Sequence, residues 1–197
     1  ERAPAAGMFK DPIFGGGTSV DFAAAKPEVV VRVGYHSEQK WGALSKDGGT
    51  TWVPFASSPE GAQGAGTVVI GADAASIVWA PKGAATAVST DDGRSWRACQ
   101  GLPAAAALPD WAPVNFRLAA DRVNPKKFYV YDASTGKVYV STDGGLSFTV
   151  KTAVLPALPE ETQESSSTGS APVPATRWTV DMDPDRIVVY SADYSQV

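Results

Sequence analysis

The sequence is poor in the residues that most often build metal and disulfide sites. Among its 197 residues, Cys99 is the single cysteine and His36 is the single histidine. A lone cysteine has no disulfide partner within the chain and cannot form a thiolate zinc site, and a lone histidine excludes a histidine-based metal cluster. A Ser-His-Asp triad would have to use His36. We therefore expect neither a metal nor a cofactor.

Charge is also scarce, and no part of the chain is strongly basic. Charged residues make up 19% of the chain, below the usual ~25%, and 17 basic against 21 acidic residues give a net charge of −4. The longest basic run is the pair Lys126 and Lys127. Nucleic-acid binders carry a clustered basic patch, so we expect no nucleic-acid partner.

Long apolar runs are missing as well. No stretch approaches the ~20 residues that span a membrane, so we expect no membrane partner. The chain begins Glu1-Arg2-Ala3-Pro4, which is not a secretion signal. We accordingly expect either a mature secreted product or a piece of a longer protein.

What the chain has in quantity is glycine and proline, with 19 and 15 residues. Together with 44% hydrophobic residues, this composition is typical of a globular, turn-rich protein with many short elements.

An eight-residue pattern, which we call the box, occurs three times. Its consensus is Ser-x-Asp-x-Gly-x-Ser/Thr-aromatic, and the aspartates are 44 and 52 residues apart. These aspartates are Asp47, Asp91 and Asp143. Aspartate and serine side chains accept hydrogen bonds from nearby backbone N–H groups, and glycine adopts positive φ easily, so each box predicts a tight turn. Because a catalytic residue has no reason to recur in every unit, we expect these aspartates to be structural.

Runs of β-branched and aromatic residues surround the boxes. Each run follows an aspartate, and the four runs are 29–33, 77–79, 128–131 and 187–190. This order predicts a strand, a turn, a second strand, and a third strand that enters the box. Four short antiparallel strands in about 45 residues make one β-propeller blade.

The repeat count predicts an all-β protein of about three and a half propeller blades. Residues 1–152 hold three blades with boxes, and 177–197 begin a fourth. Between them, 153–176 are rich in proline and serine and lack periodicity, which predicts a linker or loop. An incomplete ring has an open edge, which we expect the remainder of the propeller or another chain to cover.

The boxes are those known as Asp-boxes, which occur in sialidases, sortilin-type receptors and several glycosidases. Three longer stretches resemble the family 74 glycoside hydrolases, the xyloglucanases: FGGGTSVDFAAAKPEVVVRVG (14–34), DRVNPKKFY (121–129) and VYVSTDGGLSF (138–148). The resemblance implies two seven-bladed propellers that face each other across a cleft for a branched β-1,4-glucan. It implies a secreted, extracellular enzyme whose polysaccharide substrate is xyloglucan or a related glucan, and it places this chain at the opening blades of the second propeller.

The family hydrolyses its substrate with inversion, using one aspartate from each propeller. One carboxyl must stay protonated to donate to the leaving oxygen while the other activates water. In the family, the aspartate of the second propeller lies in a Gly-Asp-x-Gly-Gly segment upstream of the 14–21 match, and no Gly-Asp pair occurs here. We therefore expect no catalytic residue in this chain and no hydrolysis by it alone.

Four residues are candidates for contact with the sugar. Trp41 and Trp111 break the repeat, because their equivalents in other units are not aromatic, and an aromatic face outside the core suits stacking on a pyranose ring. Tyr35 and His36 follow the run 29–33, where the imidazole can hydrogen-bond a sugar hydroxyl. Packing within the blades, or simple exposure in a loop, is the alternative for each.

Two other functions fit the boxes. The chain can be a non-catalytic Asp-box module that binds a glycan or a protein partner, as in sortilin-type receptors. A sialidase is a weaker third alternative, because no arginine triad for a carboxylate sugar is visible among the scattered arginines.

Overall fold

The computed structural model describes residues 16–35, 38, 40–104, 116–151, 177–183 and 186–192. The chain forms two compact units, residues 1–153 and 154–197. Within the described residues all regular elements are strands, and none forms a helix that could cross a membrane. The linker predicted for 153–176 lies outside these residues.

The first unit contains three four-stranded antiparallel sheets, and each is a meander in which consecutive strands are neighbours. The first sheet consists of β1 (Gly16–Ala23), β2 (Lys26–Tyr35), β3 (Gly42–Ser45) and β4 (Val53–Pro54). The second consists of β5 (Thr67–Ile70), β6 (Ile77–Ala80), β7 (Ala87–Ser89) and β8 (Arg97–Ala98). The third consists of β9 (Phe116–Ala120), β10 (Phe128–Asp132), β11 (Lys137–Ser141) and β12 (Thr149–Lys151).

The second unit contains an antiparallel hairpin. Its strands are β13 (Arg177–Asp183) and β14 (Arg186–Ala192), which pair along their full length. The hairpin coincides with the apolar run predicted around 187–190.

The first and second sheets pack face to face. Alternate residues of a strand share one face, and on β2 Val29, Val31 and Val33 are buried in this way. They contact the facing side of the second sheet, including Ile77 and Trp79. Trp79 is fully buried.

The second and third sheets enclose another core. Val78 and Val88 of the second sheet pack against Phe116, Phe128 and other residues of the third. Because the second sheet is covered on both faces, all four residues of β6 are buried. This explains why β6 reads as a continuous apolar run instead of alternating with polar residues.

The first strands of the three sheets lie side by side and are joined by polar contacts. The Ser19 hydroxyl accepts from the Val68 N–H at 3.1 Å, and the Thr67 hydroxyl donates to the Phe116 carbonyl at 2.7 Å. The contacts between β1 and β5 advance together from Thr18–Gly66 to Asp21–Ile70, so these two strands run in the same direction.

One buried carboxylate links all three sheets. Asp21 of β1 is 7% exposed; its Oδ2 accepts from the Ile70 N–H of β5 at 3.0 Å. Its Oδ1 accepts from Nη2 of Arg122, in the turn between β9 and β10, at 2.8 Å. The other guanidinium nitrogen, Nη1, donates to the Phe22 carbonyl at 2.9 Å, so Arg122 reaches past the second sheet to the first.

The other face of the first sheet exposes apolar side chains. Val20 and Phe22 of β1 are 68% and 45% exposed. The guanidinium carbon of Arg32, also on this face, lies 4.1 Å from the ring centroid of Trp52.

Candidate functional site

The meander places the connections of the first sheet at two opposite ends. β2 ends at Tyr35 and β3 begins at Gly42, so Tyr35 and Trp41 lie at one end, which we call the loop end. The box joins β3 to β4 at the other end, the box end. A strand rises ~3.3 Å per residue, so the four residues of β3 separate these ends by roughly 13 Å.

Trp41 is held at the loop end by backbone and ring contacts. Its carbonyl accepts from the Gly34 N–H at 2.9 Å, which extends the pairing of β2 and β3 by one residue. Its ring lies against Gly64, where a Cβ would be 2.8 Å from Cδ1 of Trp41. Gly64 also has φ of +84°, so glycine is required there for conformation and for space. The indole is half-buried, with one part packed and the rest open to solvent.

Tyr35 lies at the same end of the sheet as Trp41 and is more exposed. It is the last residue of β2, pairs with Gly16 of β1, and is 42% exposed. The positions equivalent to Trp41, counted back from the box serine, are Ala85 and Lys137, and both are exposed. Among the three described sheets, only the first carries an aromatic residue at this position.

The other two sugar-contact candidates, His36 and Trp111, lie outside the described residues. The chain on either side of Trp111 can be placed, because β8 ends at Ala98 and β9 begins at Phe116, both at the loop end of their sheets.

All three boxes form the same turn. The box serine hydroxyl donates to Oδ1 of the box aspartate at 2.7–2.8 Å and accepts from the box glycine N–H at 2.8–2.9 Å. The next Thr or Ser donates its N–H to Oδ1 at 2.8–3.0 Å and its hydroxyl to Oδ2 at 2.5–2.6 Å. The donors of this last pair are Thr51, Ser95 and Ser147. Both carboxylate oxygens of each aspartate are thus engaged within the octapeptide.

The box glycines pack against the neighbouring sheet. Gly93 has φ of +78°, and a methyl group there would collide with the ring of Phe55, which follows β4. Gly145 has φ of +90°, and a methyl group there would collide with Val78 of β6. The box therefore closes its own turn and also seats its sheet on the preceding one.

Similarity to known proteins decides the family. No family model matches the chain. A xyloglucanase from Paenibacillus sp is 40% identical over 150 residues, which cover 74% of this chain and 13% of that protein. The crystal structure of a family 74 xyloglucanase from Xanthomonas campestris matches with a TM-score of 0.68 and 35% identity, over 93% of this chain and 24% of that one. The chain belongs to the family 74 glycoside hydrolases.

Membership in family 74 identifies the sheets as β-propeller blades. A second curated relative, a xyloglucanase from Acetivibrio thermocellus, is 38% identical over 70% of this chain. Both the all-β fold and the family resemblance predicted from the sequence are confirmed. The family 74 chain spans 13% and 15% of the lengths of these two relatives.

The box aspartates of this family 74 chain are kept ionised by their hydrogen bonds. The hydroxyl of Thr51, followed by its N–H and by Ser45, lowers the pKa of Asp47 to about 2, and equivalent bonds led by Ser95 lower the pKa of Asp91 to about 2. Burial alone would raise the pKa of Asp143, but the bonds from Ser147 and Ser141 outweigh it and the pKa is lowered. A general acid needs a raised pKa, so these carboxyls are unsuited to protonating a leaving group.

Two carboxylates of the family 74 chain were not singled out as sites from the sequence. Asp132, at the loop end of the third sheet, is 2% exposed; burial alone would raise its pKa, but bonds from Ser134 and Thr135 lower it. The local order Asp-x-Ser-Thr is a recognisable turn signal. Asp21 contacts Arg122 across 101 residues, and no short-range pattern announces such a pair.

The described part of the family 74 chain contains no group of three or more His, Cys, Asp and Glu side chains arranged to hold a metal ion. Cys99 is buried, and desolvation raises the pKa of its thiol to about 12. The thiol therefore stays protonated and behaves as a small apolar side chain.

Proposed function

We propose that this chain forms part of the wall of the xyloglucan-binding cleft in a secreted xyloglucanase, and that its loop end faces the polysaccharide. The observation that carries the proposal is the position of Trp41 and Tyr35. Both lie at the loop end, and both offer aromatic surface to solvent. Aromatic rings are rigid and combine an apolar face with polar edges, which suits them to sugar rings.

Trp41 is suited to this role because its position is fixed before the ligand arrives. Gly64 supports one part of the indole, and the carbonyl bond to Gly34 holds its backbone. A side chain that is already ordered loses little conformational freedom on binding, so more of the contact energy is available as affinity.

We assign His36 and Trp111 to the same surface. His36 directly follows Tyr35, and Trp111 lies in the chain between two strand ends that are both at the loop end. We assign no catalytic residue to the chain. The box aspartates Asp47, Asp91 and Asp143 serve their turns at the opposite end, where both oxygens of each are already engaged.

Membership in family 74 also supports a proposed organisation of the chain. We interpret 1–152 as three blades with boxes, 153–176 as a linker or loop, and 177–197 as the start of a fourth blade. We further propose that the remainder of the propeller, or another chain, covers the exposed face around Val20 and Phe22. The relatives are named as xyloglucanases, whose substrate is a polysaccharide, and this supports the proposed extracellular location.

The proposal is tested by titrating xyloglucan oligosaccharides into the chain in a calorimeter. Tyr35→Ala and Trp41→Ala are expected to weaken binding on the order of tenfold each, or ~1.4 kcal/mol. Trp52→Ala is the matched control, because Trp52 is a half-buried indole at the box end. Equal affinity for all four proteins, or equal weakening by Trp52→Ala, would remove the loop end from the binding surface.

A further inference from the structure

The boxes contain all three Asp-Gly bonds of the chain: Asp47-Gly48, Asp92-Gly93 and Asp143-Gly144. Asp-Gly is the dipeptide most open to isomerisation, because glycine has no side chain to shield its nitrogen from the preceding carboxyl. The three Asp-Gly bonds do not occupy the same position in their boxes. In the first and third boxes the residue before glycine is the box aspartate, whereas in the second box it is Asp92, one residue after the box aspartate Asp91.

The reaction joins the glycine nitrogen to the aspartate carboxyl, and a hydrogen bond to either group slows it. The glycine nitrogen loses its proton and bonds to Cγ of the aspartate, and the carboxyl hydroxyl leaves as water, which closes a succinimide ring. Water then adds at the former backbone carbonyl and breaks its bond to nitrogen, so the chain continues through Cγ as isoaspartate. One water is released and one is consumed, and no other reactant is required.

Both partners are engaged at Asp47 and Asp143. Each carboxylate accepts hydrogen bonds on both oxygens from its own box. The Gly48 N–H donates to the Glu28 carbonyl at 2.8 Å, and the Gly144 N–H donates to the Lys126 carbonyl at 2.9 Å. The nitrogen and the carboxyl would both have to leave these partners before they could meet.

At the second box the Gly93 N–H is also engaged, because it donates to the Ser89 hydroxyl at 2.9 Å, but the carboxylate of Asp92 is held much less firmly than those of Asp47 and Asp143. Its Oδ2 accepts from Nζ of Lys46 at 2.8 Å, in an ion pair whose side chains are 37% and 65% exposed. Ion pairs this exposed contribute little and open readily. The backbone of Asp92 also has φ of +61°, a conformation that costs energy for a residue with a Cβ. The extra methylene of isoaspartate offers a way to relax it.

We propose that Asp92 is the site of isoaspartate formation in the folded chain, and that the box hydrogen bonds protect Asp47 and Asp143 from the same reaction.

The ionised state of the Asp47 carboxyl also slows the reaction in the folded chain. The neutral acid is the form that loses water, and the pKa of Asp47 is lowered from 3.8 to about 2 by its box bonds. At neutral pH the neutral form is therefore roughly 60-fold rarer in the folded box than in an unfolded chain.

The test is peptide mapping of the full chain after incubation at neutral pH, with isoaspartate quantified by mass spectrometry and by methyltransferase labelling. In the folded chain, isoaspartate is expected at Asp92, and formation at Asp47 should be at least roughly 60-fold slower than in urea. Formation at Asp143, whose pKa is also lowered, should likewise be slower in the fold than in urea. In urea the three rates should converge, because the local sequences are similar. Similar rates at all three sites in the folded chain would overturn the proposal.

Two variants separate protection by the box from general stability. Thr51→Val removes one hydroxyl donor to Asp47 and should raise isoaspartate at Asp47 while Asp143 in the same molecule stays protected. Ser147→Ala should do the reverse. A rise at both sites in either variant would show that overall unfolding, and not the box, controls the reaction, and would refute the assignment.

Discussion

Replacing Trp79 by phenylalanine removes the indole N–H from the core between the first two blades. Trp79 is fully buried, and its Nε1 donates to the Ala65 carbonyl at 2.8 Å. Ala65 is itself 3% exposed, so its carbonyl would lose its partner in a place that water does not reach. An unsatisfied buried acceptor costs about 1–3 kcal/mol.

The lost volume adds to this cost. The indole lies with Phe55 and Trp96 in a cluster whose ring centroids are 6.2 and 5.5 Å from that of Trp79. A phenyl ring keeps part of this packing but leaves a cavity of a few atoms, which costs about 1–2 kcal/mol. Together the two effects predict a loss of about 2–5 kcal/mol in the free energy of unfolding.

Urea unfolding followed by near-ultraviolet circular dichroism measures this loss. With a slope of about 2 kcal/mol/M, the midpoint should fall by roughly 1–2.5 M. The control is Trp52→Phe, since the Trp52 Nε1 donates to the Gly49 carbonyl at 3.0 Å in a half-buried turn. If Trp79→Phe lowers the midpoint no more than Trp52→Phe, the reasoning from burial and the N–H bond is wrong.

Two further predictions concern the boxes. Gly93→Ala should destabilise the chain well beyond the ~1–2 kcal/mol that positive φ costs, because the methyl meets Phe55, whereas Gly48→Ala, at φ of +68° with nothing within 4 Å, should cost only that amount; equal melting temperatures would contradict this. The pKa values of Asp47 and Asp91 lie at about 2 in the fold, below 3.8, so their contribution is full above about pH 4 and is lost as pH falls toward 2. Melting temperatures recorded across this range should show a fall that Asp47→Asn reduces; an unchanged profile would exclude the assignment.

The fold was predictable where contacts are local. A box closes within a single octapeptide, so the spacing of Ser141, Asp143 and Ser147 contains the information for its turn. The blade strands were predictable for a related reason, since antiparallel neighbours follow each other in the chain and are rich in β-branched and aromatic residues. The repeat of these units led to the propeller and to the family.

Contacts between blades were not predictable from the sequence. Ser19 meets Val68, and Trp41 lies on Gly64, because separate blades come together, and no local pattern encodes either contact. The half-burial of Trp41 follows from this packing and could not be derived beforehand. Tyr35 and Trp41 lie at one end of their sheet, while the sugar contacts of all four candidates, including His36 and Trp111, stay predictions.

The bond between Asp21 and Arg122 has a consequence for how the blades come apart. In an array whose repeats touch only their nearest neighbours, a terminal repeat can detach while the others remain folded. Here one carboxylate on the first blade is shared with the second blade through Ile70 and with the third through Arg122. Detachment of either outer blade therefore breaks a contact with the other outer blade as well as with the middle one, which raises the free energy needed to open one end of the array alone.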